Sequence, residues 1–217
     1  MNVLVSGQKI EKISSAKISS PNQDVVKING GGKTLMPGLI DVHVHMVFGS
    51  LTMAQMMSPD MSEEMLMNKV GEASHKMLMR GFTSVRDAGG PIFPLKLAID
   101  KGKVAGPRIW PSGATISQTA GHGDFRTPDE RSRRFFGKAS RAEELGATFI
   151  ADGRDEVLTA TRENLRFGAS QIKLMAGGGT SSAYDPIDVT QYTFDEMKAA
   201  VDAAEDWGTY VILHYLA

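Results

Sequence analysis

Short apolar segments alternate with helical segments from Met36 to the end of the chain, and this alternation restricts the fold more than any other feature. The predicted strands read, in chain order, GLIDVHVHM, FTSVRD, PRIWPSG, QIKLM and TYVILHYLA. Strands separated by helical crossovers form a parallel sheet, which is either a closed barrel or a doubly wound sheet. Both architectures place functional side chains at the carboxyl ends of the strands.

The predicted helices are marked by capping signals. One helix is expected from about Ser62 to Arg80, and another starts at a capping box formed by Thr193 and Glu196 and ends at Gly208. A loop-rich insertion is expected from 114 to about 153.

The chain is predicted to contain two regions. Residues 1–37 hold three short β-type segments, NVLVSG, KIEKIS and VVKIN, and residues 38–217 hold the alternating strands and helices. A complete (β/α)8 barrel takes roughly 200 to 250 residues. The alternation reaches only about a fifth strand, so a barrel built from this chain would be partial.

Composition excludes several classes of protein. The 217 residues include 24 basic and 25 acidic side chains, which gives no electrostatic support for a nucleic-acid or anionic-membrane partner. The absence of cysteine excludes disulfides and thiolate ligands and fits a cytoplasmic location. No secretory signal and no apolar run of about 18 residues is seen. The 13 methionines are interpreted as packing residues.

Two of the five histidines lie one residue apart at the end of the first predicted strand. Side chains at i and i+2 of a strand point the same way, so His43 and His45 share one face and are placed to hold one cation. Asp41 is a candidate to hydrogen-bond one of these imidazoles. Two histidines in this pattern are by themselves a weak signal, since strands often carry such pairs without a ligand.

Longer stretches of sequence around these histidines resemble the metal-dependent amidohydrolases. The segment MPGLIDVHVHM resembles the first-strand signature of that family, and further similar segments are GFTSVRDAGG, GPRIWPSGATISQTAGHGD, IKLMAGGG and the HY pair at 214–215. Together they are similar to the imidazolonepropionase-like and prolidase-like branch, over about residues 25–215. The resemblance implies an α/β fold with a partial (β/α)8 TIM-type barrel. It also implies that residues 1–37 belong to a small β-sandwich.

The resemblance also implies a site with two divalent metal ions, with zinc expected. His43 and His45 would bind the buried ion, Lys173 would be carbamylated by CO2 and bridge both ions, and His214 would bind the more exposed ion. The family adds a histidine on strand six and an aspartate, the general base, on strand eight. Neither has a counterpart up to Ala217, so the chain is expected to be a truncated member whose catalytic base lies elsewhere.

The residues themselves support Lys173 and His214 in part. In QIKLM, Lys173 alternates with Ile172 and Leu174, and a lysine facing a sheet interior is costly unless it is neutral, paired or modified. The alternative is a lysine that extends to the rim. His214 follows one strand–helix–strand unit later, although a histidine at such a position is also compatible with a purely structural role.

His122 and Tyr215 are candidate substrate-binding residues. His122 lies on a glycine-flanked loop after the third strand, where substrate contacts concentrate, and an ordinary loop histidine is the alternative. Tyr215 is placed to orient a polar substrate group, and a packed rim tyrosine is the alternative. Arg86 and Asp87, at the end of the second strand, are expected to form an ion pair at the rim.

The function expected from these features is metal-dependent hydrolysis of C–N bonds in amide, dipeptide-like or cyclic amide small molecules. The alternatives are a mononuclear deaminase, a non-catalytic metal-binding or assembly module, and an interaction module whose histidines are core residues. Open strand edges lead to the further hypothesis of a homo-oligomer that pairs edge to edge.

Overall fold

The computed structural model describes residues 1–19 and 24–215. The chain divides into two compact units, Met1–Pro37 and Gly38–Ala217. In the first unit, strands β1 (Asn2–Ser6) and β2 (Lys9–Ser14) form an antiparallel hairpin. The third predicted β segment, residues 25–29, is irregular. Its apolar side chains Val26 and Ile28 are exposed, so no packing stabilises a strand there.

The second unit is an α/β fold with parallel sheets. A three-stranded sheet, ordered β3-β4-β5, consists of β3 (Leu39–Val44), β4 (Phe82–Asp87) and β5 (Arg108–Pro111). A four-stranded sheet, ordered β7-β6-β8-β9, consists of β6 (Thr115–Ser117), β7 (Thr148–Ile150), β8 (Ile172–Met175) and β9 (Val211–His214). Over the part of the chain that the structure describes, no strand pairing joins β9 to β3, and the barrel is not closed.

Seven helices connect the described strands of this unit. They are α1 (Met53–Met57), α2 (Glu63–Met79), α3 (Phe93–Asp100), α4 (Arg133–Phe136), α5 (Arg141–Glu144), α6 (Arg154–Arg166) and α7 (Phe194–Asp206). The two capping predictions are confirmed: Ser62 accepts a hydrogen bond from the Met65 amide, and Thr193 and Glu196 form a capping box before α7. No helix within residues 1–19 and 24–215 is long and apolar enough to cross a membrane.

The expected loop-rich insertion is partly ordered into elements. It contains β6 and β7, which pair in parallel, and the short helices α4 and α5. Strands of three residues are too short to show a hydrophobic period in the sequence, which explains why they escape prediction.

Two hydrophobic clusters support the two sheets. The first includes Met46, Met56 and Met61 with Val85 and Ile109. The packing role is therefore confirmed for these methionines, whereas Met53, Met65 and Met79 are exposed. The second places Ile172 and Leu174 of β8 against alanines of α7. Gln171 joins the two sheets, because its side-chain amide donates to the carbonyls of Asp87 (3.0 Å) and Trp110 (3.1 Å).

Candidate metal centre and its surroundings

The paired histidines lie together at the end of β3. The ring centroids of His43 and His45 are 5.2 Å apart in an edge-to-face arrangement, as expected for side chains on one face. Asp41 does not reach either imidazole in the described hydrogen bonds; its Oδ1 accepts from the His43 backbone N–H at 3.1 Å. Asp41 therefore shapes the backbone at this point of the strand.

The surroundings of both imidazoles favour the neutral form. Burial, followed by the positive charges of Lys173, His43, His214 and His122 in that order, lowers the pKa of His45 to about 4. Burial, followed by the charges of Lys173 and Arg86, also lowers the pKa of His43. Neutral imidazole is the form that ligates a metal ion.

Lys173 is the most unusual residue of this region. It lies at the centre of β8, on the face opposite to Ile172 and Leu174, and is only 1% exposed. Its ammonium group has no hydrogen-bond or ion-pair partner within the described ranges. Burial, with a smaller contribution from the positive charge of Arg86, lowers the pKa of Lys173 to about 8. The structure thus supplies a buried amine that loses its proton far more easily than an exposed lysine.

His214 ends β9, next to β8, and its ring stacks on that of His122. The two ring centroids are 3.9 Å apart with an interplanar angle of 10°. The Nε2 atom of His214 lies 3.3 Å from the carbonyl oxygen of Gly178. Burial and the charges of His122 and Lys173 lower the pKa of His214. The stack places His122, a candidate substrate-binding residue, directly beside a candidate metal ligand.

The sequence did not indicate which residues hold His122 in place. Its Nδ1 atom lies 2.8 Å from Ser182 Oγ and 3.2 Å from Asp185 Oδ2, and its backbone N–H donates to Gln191 Oε1 at 3.0 Å. Ser182, Asp185 and Gln191 lie at least 60 residues after His122 in the sequence. The glycine-rich stretch before these three residues was the only local signal that this segment approaches the site. Asp185 was therefore missed as a partner of His122.

Tyr215 is not drawn into this cluster. Its side chain is 58% exposed, and its hydroxyl group has no hydrogen bond to any residue that the structure describes. Its proposed contact with substrate stays a prediction.

The prediction of an ion pair between Arg86 and Asp87 is wrong. Arg86 donates to the Val42 carbonyl (2.6 Å) and to the Tyr210 hydroxyl (3.1 Å), whereas the Asp87 carboxyl accepts from the Met46 backbone N–H at 2.7 Å. Neighbouring side chains of a strand point to opposite faces, and this separates the two groups. Burial raises the pKa of Asp87 to about 7.

The donor set fits a divalent metal ion in its chemistry. His45 Nδ1 is buried and has no hydrogen-bond partner among residues 1–19 and 24–215. No three His, Cys, Asp or Glu side chains of the described residues are grouped as a ready-made metal site. The neutral imidazoles of His43 and His45 and the buried amine of Lys173 are the groups that fit, and the amine needs modification before it can ligate.

The sequence of residues 34–217 matches the amidohydrolase family, and the chain belongs to it. It is 35% identical to an ochratoxinase from Aspergillus niger over 189 residues, covering 83% of this chain and 38% of that protein.

Solved structures give the same result. A prolidase complexed with N-methylphosphonate-L-proline is 38% identical with a TM-score of 0.86, and the match covers 99% of this chain and 51% of that one. A Xaa-Pro dipeptidase with methionine bound in its active site is 33% identical with a TM-score of 0.67, covering 82% and 43% of the two chains. The chain thus spans about half the length, or less, of these relatives.

Proposed function

We propose that the chain carries part of the active site of a metal-dependent hydrolase that cleaves C–N bonds in small molecules. The observation that carries this proposal is the buried, easily deprotonated Lys173 near His43 and His45, both in their neutral forms. Amidohydrolases generally use divalent metal ions, and the prolidase and dipeptidase relatives favour a dipeptide-like or N-acyl amino acid substrate.

In the proposed site, His43, His45, Lys173 and His214 are the metal ligands. The neutral Nζ of Lys173 attacks CO2, a new N–C bond forms, and the amine proton passes to solvent, which leaves a carbamate with two oxygen donors. Two divalent ions, zinc by preference, would supply an activated water and polarise the scissile carbonyl. The low pKa of His45 keeps its ring neutral at neutral pH.

His122 and Tyr215 are proposed to bind substrate. His122 is supported by its stacking on His214, and Tyr215 by its position directly after that residue. No general base is assigned, because Asp185 is held by His122 and by the Gly179 N–H at 2.9 Å. Since the chain covers 51% of the prolidase, we propose that the base and the remaining ligands come from sequence outside these 217 residues.

Native mass spectrometry of the purified chain, incubated with zinc and bicarbonate, tests the ligand set. We expect bound zinc and one added CO2 in the unmodified chain. We also expect both in a Lys198→Ala control, because that lysine is exposed and lies on α7. Lys173→Ala should lose the CO2 adduct and reduce zinc binding. An adduct that persists in Lys173→Ala, or zinc binding that is unchanged in a His43→Ala, His45→Ala double variant, would refute the assignment.

A further inference from the structure

The imidazole of His122 is fixed more firmly than that of any other histidine in the described cluster. Its Nδ1 atom has two close oxygen partners, Ser182 Oγ at 2.8 Å and Asp185 Oδ2 at 3.2 Å. The Asp185 side chain is fully buried. Both contacts fall on the same ring nitrogen.

Both oxygen atoms act as acceptors toward Nδ1. Ser182 Oγ lies 3.3 Å from the carbonyl of Gly179, which can only accept, so the hydroxyl hydrogen is directed there. Asp185 Oδ2 already accepts from the Gly179 N–H (2.9 Å) and from the Gln191 side-chain amide (3.4 Å), so this oxygen atom faces donors on its other sides. This arrangement favours Nδ1 of His122 as the donor, which in the neutral ring leaves the lone pair on Nε2.

The backbone around His122 holds the ring against this pair. A Cβ atom added at Gly179 would lie 2.0 Å from Cε1 and 2.3 Å from Nδ1 of His122, so the ring packs directly on the glycine backbone. Gln191 ties the two segments together, because its Oε1 accepts from the His122 N–H and its amide donates to Asp185. The imidazole cannot rotate without breaking these contacts.

We propose that Asp185 and Ser182 are positioning residues that hold His122 as its Nδ1–H tautomer and leave Nε2 as the ring atom that meets a ligand. In this form Nε2 accepts a hydrogen bond, so it suits an N–H or O–H group of an amide or amino acid ligand. The ligand-binding role of His122 rests on the proposed function, whereas its tautomer does not.

Histidine-labelled protein tests this by nitrogen-15 NMR, which distinguishes protonated from unprotonated ring nitrogens. The chain is measured without metal at about pH 8.5, well above the ordinary histidine pKa of about 6.5, and His122 is assigned with His122→Gln. We expect a protonated Nδ1 in the unmodified chain. Asp185→Ala should shift the ring toward the Nε2–H tautomer, and Asp185→Asn, whose amide oxygen still accepts, should restore the original signal.

Asp188→Ala is the matched control, because it removes the same charge from an exposed position in the same segment. It should leave the His122 signal unchanged. A protonated Nε2 in the unmodified chain overturns the inference, as does an Asp185→Ala chain that keeps the Nδ1–H tautomer. If Asp185→Ala does not fold, the spectrum of the unmodified chain still decides. The NMR samples contain no metal. A chain that fails to bind zinc in the mass-spectrometry experiment therefore refutes the proposed function and leaves the tautomer result intact.

Discussion

The strands β3 and β8 both carry proposed ligands, yet they lie in very different surroundings. β8 pairs on one side with β6 and on the other with β9, and all four of its residues are buried. Among the strands that the structure describes, β3 pairs with β4 alone and forms an edge, and Ile40 and Val42 are 67% and 59% exposed. The same kind of apolar sequence is therefore well packed in one place and open to solvent in the other.

This difference shows how position in a sheet tunes a functional group. Lys173 lies on the central strand, where desolvation lowers its pKa to about 8. His43 lies on the edge strand, where it is only partly buried, and there burial and the charges of Lys173 and Arg86 lower its pKa. A central strand thus favours a neutral amine, while an edge strand leaves an imidazole accessible.

The largest expected effect is on folding stability. Leu174→Ala, on β8, should lower the free energy of unfolding by about 2 to 5 kcal/mol, because it leaves a cavity in a packed cluster. Val42→Ala, on β3, should cost less than about 1 kcal/mol, since most of that side chain is already exposed. Urea unfolding of both variants measures the contrast. Equal losses would show that β3 is covered in solution.

The next effect is a pH dependence that arises from Lys173. Between pH about 8 and 10.5 the unfolded chain holds the lysine proton and the folded chain does not, so the free energy of unfolding rises with pH across this window. Below pH about 8 the buried positive charge of Lys173 lowers the free energy of unfolding by up to about 3 kcal/mol. Lys173→Met should be more stable than the unmodified chain by that amount at neutral pH, and the gain should vanish near pH 10.5.

Urea unfolding without metal and CO2, repeated across this pH range, measures the effect. Lys198→Met removes an exposed lysine that pairs with Asp202, and it should show no such trend. If the difference in the free energy of unfolding between Lys173→Met and the unmodified chain did not change with pH, Lys173 would be solvated.

The smallest expected change in stability accompanies a change in assembly. If two copies pair through β3, a charge on its exposed face should weaken the association, because lysine on an edge strand disfavours pairing with another chain. We expect Val42→Lys to change the free energy of unfolding by roughly 0.5 kcal/mol or less and to shift sedimentation toward the monomer. Val201→Lys, at an exposed site on α7, is the control. An unmodified chain that is already monomeric would contradict edge pairing.

Much of the fold could be predicted because its signals are local. The strand positions, the helix caps at Ser62 and Thr193 and the shared face of His43 and His45 all depend on neighbouring residues. The prediction failed for β6 and β7, because strands of three residues are too short to show a period. It also failed for the ion pair of Arg86 with Asp87, because neighbouring side chains of a strand point to opposite faces.

The sequence by itself therefore determined the alternating elements, the family and the candidate ligands, since periodicity, caps and motifs are written in short segments. Only the tertiary structure decided that Lys173 is buried with no partner in the described part of the chain, and that His122 meets Asp185 across 63 residues of chain. These properties depend on strand order and on the path of loops. Desolvation and long-range hydrogen bonds arise only when distant segments pack together.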